Sequence, residues 1–426
     1  MIPAARIQAA IELMAEVIDS TRPADAVASA YFRDRRFIGS KDRAAISTRL
    51  YRIIRTYHRL GWWIRKSGHE VNARTLVIAD LMFGREHSLA SLPDTFSGER
   101  FTPDLLSEEE LALAKALDKQ ELEPEDMPLR ERTECPTWAF APLQASLGER
   151  FETEMRATLE PAPMDLRVNA LKAKRDDVLK QLRKDEIDAH EGKLSPLSIR
   201  VYGRPQIARH PLYLDGSIEI QDEGSQMIAA LANAKPGEQV IDFCAGAGGK
   251  TLALGASMNN KGRIIAMDVL EKRLDKAKER FRRAGLHNIE TRALSSERDK
   301  WVKRHQEQFD LVFVDAPCTG SGTWRREPDK RWRMLGPGLA ELLPLQQNIL
   351  DSACRLAKKG GRVVYATCSL LAEENENQVE AFVKNHPEFE ATGDVLKLTP
   401  AQHDTDGFFA AVLTKRKASL LPPGEG

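Results

Sequence analysis

From about residue 216 onward, short apolar runs rich in β-branched residues alternate with amphipathic segments, and this alternation limits the possible folds more than any other feature of the chain. Gln239-Val240-Ile241-Asp242-Phe243 reads as a strand, a glycine-rich turn follows, and Thr251 to Ser257 starts a helix. Arg263-Ile264-Ile265-Ala266-Met267 is a second strand ending at Asp268, and Glu271 to Ala284 is a second helix closed by Gly285. Strands covered on both faces become continuously apolar, as these are. The order strand, helix, strand then predicts a right-handed βαβ unit, the opening of a doubly wound nucleotide-binding α/β sheet. Leu311-Val312-Phe313-Val314 and Val363-Val364-Tyr365 supply further buried strands, and a helix from about Leu339 to Lys358 is expected to stop at Gly360-Gly361.

A short cysteine motif follows each of these last two strands: Asp315-Ala316-Pro317-Cys318 and Thr367-Cys368-Ser369. Both sulfurs are therefore expected where strands end, the edge at which open α/β sheets bind ligands. Two cysteines there, with an aspartate three residues before the first, suggest a staged covalent reaction. An unperturbed cysteine is only a few per cent thiolate at neutral pH, so full ionisation costs roughly 2 kcal/mol. Lys250 or a helix N-terminus is placed to lower that cost. The structural reading, in which free cysteines are small buried hydrophobes, is preferred for Cys135, Cys244 and Cys354.

The turn Cys244-Ala245-Gly246-Ala247-Gly248-Gly249-Lys250 puts glycines where a strand bends into a helix, so a ligand can approach backbone N–H groups. Asp268, at the end of the next strand, is placed to accept hydrogen bonds from ribose hydroxyls. Such a loop fits NAD, FAD or S-adenosylmethionine, or a tight structural turn. A methyl donor beside two thiols has a chemical rationale that a nicotinamide lacks. Carbon 5 of cytosine or uracil is too weak a nucleophile to attack a methylsulfonium. Thiolate addition at carbon 6 activates it, and a carboxyl group near N3 helps as charge develops there.

The rest of the chain divides by pattern. Residues 1–130 are expected to be an all-α domain with a connector: Ile7, Ile11, Met14 and Ile18 fall at helical spacing, as do Ile46, Leu50, Ile53, Tyr57 and Leu60. Pro93, Pro103, Pro124 and Pro128 break up the connector. Residues 131–215, with the strand-like Leu166-Arg167-Val168-Asn169 and a helical Asp176 to Arg183, suggest a small α+β domain. Residues 216–417 form the doubly wound sheet and 418–426 a loose tail. Between Tyr31 and Lys66 eleven Lys/Arg stand against only Asp34 and Asp42, with Tyr51, Tyr57, Trp62 and Trp63 interleaved. That stretch either contacts RNA phosphates, or Arg49, Arg52, Arg55 and Arg59 are the solvated face of one helix.

Composition narrows the classes further. Lys+Arg and Asp+Glu both number 63, so attraction to nucleic acid must be local. Five cysteines without C-x-x-C spacing argue against a disulfide framework and against a bound metal, and point to reduced thiols in the cytoplasm. No run of eighteen apolar residues occurs, so no membrane partner is expected.

Asp242 to Thr251, Asp315 to Gly322 with Arg325-Arg326-Glu-Pro-Asp-Lys-Arg331-Trp332, and Tyr365 to Ser369 followed by Glu374-Asn375-Glu376 closely resemble the Nol/Nop/Sun family of RNA 5-methylcytosine methyltransferases. Gln221-Asp222-Glu-Gly-Ser225 and Asp406-Gly-Phe-Phe-Ala410 are similar to the same family, and Lys41-Asp42-Arg43 with Tyr51 to Arg55 resembles the NusB-like RNA-binding domain of its RsmB branch. The resemblance implies a Rossmann-like S-adenosylmethionine-dependent methyltransferase fold acting on RNA, with ribosomal RNA as the expected substrate and a monomer as the expected state. It implies that Cys368 is the nucleophile, that Cys318 assists product release, that Asp315 faces the pyrimidine and the methyl donor, and that Lys250 belongs to the catalytic group. Residues 244–250, Asp268 and Arg273 would bind the cofactor, and Arg325, Arg326, Arg331 and Trp332 would lie near RNA. Two departures stand out: Gly246-Ala247 replaces the family's central Ala-Pro, and Ala293-Leu294-Ser295-Ser296 lacks the acidic residue that meets adenine, leaving Glu297 or a backbone group for that contact. The competing functions are a DNA cytosine methyltransferase, with Cys318 as nucleophile, and a non-enzymatic RNA-binding assembly factor.

Overall fold

The computed structural model describes residues 1–203, 205–333 and 335–417, so the expected tail 418–426 lies outside the described residues. The chain forms two compact units, one of Met1–Gln144, Gly148–Glu160 and Trp324–Gly336, the other of the remainder.

The first unit is helical. Its helices Pro3–Asp19, Ala24–Asp34, Ser40–Arg55, Tyr57–Lys66 and Ala73–Phe83 surround a core that includes Leu13, Met14, Leu50, Ile53, Leu60 and Leu76. Ile7, Met14, Ile46, Leu50, Ile53 and Leu60 are buried as their spacing predicts, while Ile11, Ile18 and Tyr57 pack partly buried on the same core. Side chains cap two helices: Asn72 with Thr75, and Ser107 with Glu110, each accept and return a backbone bond.

Thr137–Leu147 and Phe151–Ala157 are helices, all but Ala145–Leu147 of them in the helical unit, and the first strand begins at Met164. One expectation for this region needs correction: Arg49, Arg52, Arg55 and Arg59 do not form a solvated face. Arg49 and Arg52 pair with the buried Asp80 and with Glu86, and Arg59 is itself buried and bonds Glu134 at 2.9 Å. Arg55 donates to the carbonyls of Leu159 and Arg325. Burial of the arginines' apolar stems demanded acidic partners, and those lie far away in sequence.

The second unit carries two sheets. Strands β1 (Met164–Val168), β2 (Ala189–Glu191), β3 (Ser198–Val201) and β4 (Ile218–Ile220) form an antiparallel sheet in the order β2-β3-β1-β4, with helix Arg175–Lys184 supplying Val178, Leu179 and Leu182 to its core. Strands β5 (Gln239–Asp242), β6 (Arg263–Asp268), β7 (Ile289–Ala293), β8 (Phe309–Asp315) and β9 (Ala357–Thr367) run parallel, and β10 (Phe389–Leu398) and β11 (Phe408–Lys415) are antiparallel. The order is β10-β11-β9-β8-β5-β6-β7. Ile241, Val312, Val314 and Tyr365 enter one core, and Val240, Leu311, Phe313 and Val364 enter another. Alternate residues of the same strands thus feed two cores, which explains the continuously apolar runs and makes the sheet doubly wound. The strand order reverses between the parallel neighbours β5 and β8, so the ligand-binding crevice of this topology opens at their carboxyl ends.

One boundary differs. The long helix ends at Ala353, not Lys358, and Gly360-Gly361 lies inside β9. The β8–β9 register shifts between Phe309 and Leu311, and Gly360, at φ +75°, absorbs the irregularity.

Candidate active site

The parallel register places Asp242, Asp268, Asp315 and Thr367 at the ends of β5, β6, β8 and β9, all on one edge of the sheet. After β8 and β9 the chain turns immediately, and the two turns are tied together. Ser321 Oγ lies 3.0 Å from Ser369 Oγ and accepts the Leu370 N–H, while Gly322 N–H donates to the Cys368 carbonyl. Gly407 N–H donates to the Gly322 carbonyl, and a Cβ on Gly322 would stand 2.2 Å from the Gly407 oxygen. Glycine at 322 therefore reflects close backbone approach.

These ties bring Cys318 Sγ to 3.4 Å from Cys368 Sγ. Both residues are partly buried free cysteines, fifty positions apart in the chain. Beside them Lys250 Nζ donates to Asp315 Oδ2 at 2.6 Å. Burial opposes the lysine's charge, but the Asp315 carboxylate, followed by Cys368 and Asp242, holds its ammonium above the ordinary value. The Cys318 thiol is pushed well above its ordinary value by its hydrogen bond with Cys368, by burial and by the charge of Glu374. The Cys318 thiol is therefore held in its protonated form.

Sequence reasoning had noted Glu374 only inside a family motif. It is fully buried and accepts from the Thr319 N–H at 2.8 Å, the Thr319 hydroxyl at 2.6 Å and Gln346 Nε2 at 2.9 Å, while Gln346 also donates to the Pro317 carbonyl. Glu374 and Gln346 thus clamp the peptide on both sides of Cys318. Asn375 does the same for the second turn, accepting from Thr367 and donating to the Ser369 carbonyl at 2.9 Å. No spacing rule in the sequence points to Gln346.

The glycine-rich turn between β5 and helix Gly249–Ser257 is built for close approach. Gly248 has φ +79°, and a Cβ there would meet Phe281 at 2.6 Å. Asp268 accepts the N–H of Gly246 at 2.9 Å and of Leu270 at 2.8 Å, one on each oxygen, which leaves lone pairs for hydroxyl donors. Val269 and Leu270 follow it exposed, an apolar surface beside a polar anchor. Asp242 accepts from the Thr251 hydroxyl at 2.6 Å, and its buried Oδ1 has no protein partner. Burial is the main cause that raises its carboxyl to about 7. Burial, with Asp242, Asp315 and Asp268, pushes the Cys244 thiol well above the usual range. These features fit an adenosyl ligand. Ala245 is buried, Ala247 accepts from Arg280 through its carbonyl, and Arg273 is exposed on helix Glu271–Ala284. Where an acidic adenine partner is missing, the Ser295 N–H and hydroxyl bond Asp299, and Glu297 faces Arg298.

Arg325, Arg326, Arg331 and Trp332 belong to the helical unit. Arg331 is buried and donates to the Thr133 and Thr158 carbonyls, and Trp332 stacks on Tyr57 with ring centroids 4.1 Å apart. Arg325 is also buried, and Arg326 is the exposed member of the four. Among the described residues no His/Cys/Asp/Glu group is arranged to hold a metal ion, and no helix is long and apolar enough to cross a membrane.

A protein-family model described as 16S rRNA methyltransferase RsmB/F matches residues 229–414, and one described as the ferredoxin-like domain of RsmF/B-like methyltransferases matches residues 135–208. The ribosomal RNA small subunit methyltransferase B of Photorhabdus laumondii is 33% identical over 287 residues, a stretch that spans 66% of each chain. The probable ribosomal RNA small subunit methyltransferase B of Bacillus subtilis is 32% identical over 305 residues, 68% of each. Among solved structures, the crystal structure of PH0851 matches 97% of this chain and 99% of its own, at 27% identity and a TM-score of 0.78.

Proposed function

This chain belongs to the RsmB-like branch of the Nol/Nop/Sun methyltransferase family, and from that premise we propose that it methylates carbon 5 of a cytosine in ribosomal RNA through a covalent adduct with Cys368. The observation that carries the reading is the 3.4 Å approach of two sulfurs at the carboxyl ends of adjacent strands, beside the Lys250–Asp315 pair. S-adenosylmethionine, held by residues 244–250 and Asp268 with Arg273 nearby, supplies the methyl group.

Cys368 adds to carbon 6, with the Lys250 ammonium close enough to feel its charge. Asp315, paired to Lys250 Nζ at 2.6 Å, faces the ring near N3, where negative charge develops. Cys318 keeps its proton and donates its S–H toward the neighbouring sulfur. When the carbon 5 proton passes to solvent water, its bonding pair re-forms the ring double bond, the bond from carbon 6 to Cys368 breaks, and the Cys318 S–H stabilises the departing thiolate. A cytosine inside a helix cannot reach such a pocket, so the target base is unpaired or flipped.

The test is denaturing electrophoresis of wild type, Cys318→Ala and Cys368→Ala after incubation with labelled ribosomal RNA and S-adenosylmethionine. A slow-migrating adduct confined to Cys318→Ala, with methylation abolished in Cys368→Ala, is the expected result. An adduct formed by Cys368→Ala instead reverses the roles and favours the DNA-type scheme. No adduct with either variant and no methyl incorporation by wild type leaves a binding factor.

A further inference from the structure

We propose that the loop between helices Ala24–Asp34 and Ser40–Arg55 is a docking surface for single-stranded RNA, in which a base stacks on Phe37 while Arg33, Arg36 and Lys41 hold the flanking phosphates. The proposal rests on the reading of the substrate as RNA and adds where, outside the catalytic edge, that RNA is gripped.

The basic stretch from Tyr31 to Lys66 splits into two populations. Beyond residue 48, Arg49, Arg52 and Arg59 are matched by Asp80, Glu86, Glu123 and Glu134, and Lys66 by Asp126. Before it, Arg33, Arg36 and Lys41 are exposed. Arg36 and Lys41 have neither a hydrogen bond nor an ion pair among the described residues, and the nearest acid to Arg33 is Asp34 at 3.8 Å, itself 71% exposed. Apart from the exposed Arg65 on helix Tyr57–Lys66, the cations of this stretch that are still available to a partner thus lie in or beside one loop.

Three further features mark that loop. Phe37 is 79% exposed, the most exposed large hydrophobic side chain among the described residues. Leaving such a ring in water forgoes about 2 kcal/mol of burial. Arg33, Arg36 and Arg43 line, with Ser29 and Phe32, a surface hollow of about 500 Å³. Helix Ser40–Arg55 begins at Gly39 with no side chain capping its first N–H groups, and the acid of its first turn, Asp42, is occupied by Arg6 at 2.7 Å. A helix N-terminus, unpaired guanidinium groups and an open aromatic ring match a phosphate followed by a base. An acidic protein would use the charges and leave the ring without a role. Because the whole chain has zero formal charge, the attraction must be local, and this loop supplies it.

The experiment is fluorescence anisotropy of a labelled twelve-nucleotide single-stranded RNA with the full chain, at 50 to 300 mM NaCl and without methyl donor. Arg33→Glu/Arg36→Glu should weaken binding at least about tenfold and lower the slope of log affinity against log salt by about 1.4, two phosphate contacts at roughly 0.7 each. Phe37→Ala should weaken binding about tenfold with the slope unchanged, the signature of stacking. Calorimetric binding of S-adenosylmethionine should match wild type in every variant, which certifies the fold. Affinity and slope within twofold of wild type in both variants would overturn the proposal. So would displacement of the RNA by polyglutamate at equal charge with no dependence on Phe37. If wild type grips RNA through this loop but never methylates it, the methyltransferase reading falls and the surface stands. If kcat/KM for RNA methylation is untouched by the substitutions, the surface falls alone.

Discussion

Asp242 shows how much one side chain can be asked to hold. Its carboxyl is buried at the end of β5, one oxygen is served by Thr251 and the other by nothing in the protein, and burial raises its pKa to about 7. In the unfolded chain an aspartate ionises near pH ~4. Between about pH 4 and 7 the unfolded state therefore releases a proton that the folded state retains, and folded stability falls as pH rises through that window, then levels off. Asp242→Asn keeps an acceptor for Thr251 and removes the titration. Its stability relative to wild type should climb from pH 5 to pH 8 by up to roughly 3 kcal/mol, since about two of the three pH units of the shift fall in that range at 1.36 kcal/mol each. Urea melts at pH 5, 6.5 and 8 measure this, and a gap independent of pH would mean that Asp242 ionises normally. The Cys318 thiol is likewise pushed up, by its hydrogen bond with Cys368, by burial and by Glu374, which suits the proton-keeping role proposed for it.

At the scale of elements, the turn from β5 into helix Gly249–Ser257 makes a graded prediction. Gly246 (φ +55°) has open space where a Cβ would stand, whereas Gly248 (φ +79°) faces Phe281 at 2.6 Å. Gly246→Ala bears only the left-handed backbone cost of about 1–2 kcal/mol, but Gly248→Ala must also displace helix Glu271–Ala284. Calorimetry should show S-adenosylmethionine affinity falling by about tenfold or more in Gly248→Ala and by clearly less in Gly246→Ala. Equal losses would show that backbone conformation alone matters. This turn was readable in the sequence because its cause is local: a buried strand, glycines, then a helix. The approach of Cys318 to Cys368 was readable for a related reason, since each follows a strand and the strands are neighbours. What stayed hidden depends on partners distant in sequence. Asp80 and Glu134 neutralise arginines that read as a solvated face, and Gln346 and Glu374 clamp the Cys318 turn from elements 29 and 55 residues away from their partners. The early start of β9 was hidden by its Lys358-Lys359-Gly360-Gly361 sequence, which carries no strand signal of its own.

For the whole molecule, the informative fact is the path of the chain. Trp324–Gly336 belongs to the helical unit, although Thr323 before it and Pro337 after it belong to the unit of the sheets. The segment is built in deeply. Trp324 is fully buried and meets Trp138 edge to face at 6.3 Å, Asp329 accepts the N–H of Ala24 at 2.9 Å, and Arg333 bonds Asp329 at 2.8 Å. The sequence shows this stretch only as a basic loop, because its burial is decided by helices some 190 to 300 residues earlier. The chain leaves the Cys318 turn directly into this segment, so order in the helical unit restrains one side of the active site through covalent connection alone. Residues 244–250 and Asp268, proposed to bind the adenosyl group, carry no such tether. Trp324→Ala should cost about 3–5 kcal/mol in the helical unit. On heating, RNA methylation by that variant should disappear several degrees below the temperature at which calorimetric S-adenosylmethionine binding is lost, whereas in wild type the two should fail closer together. Simultaneous loss of both in Trp324→Ala would show instead that the two units unfold as one cooperative body, with the segment acting as a bolt and not as a tether.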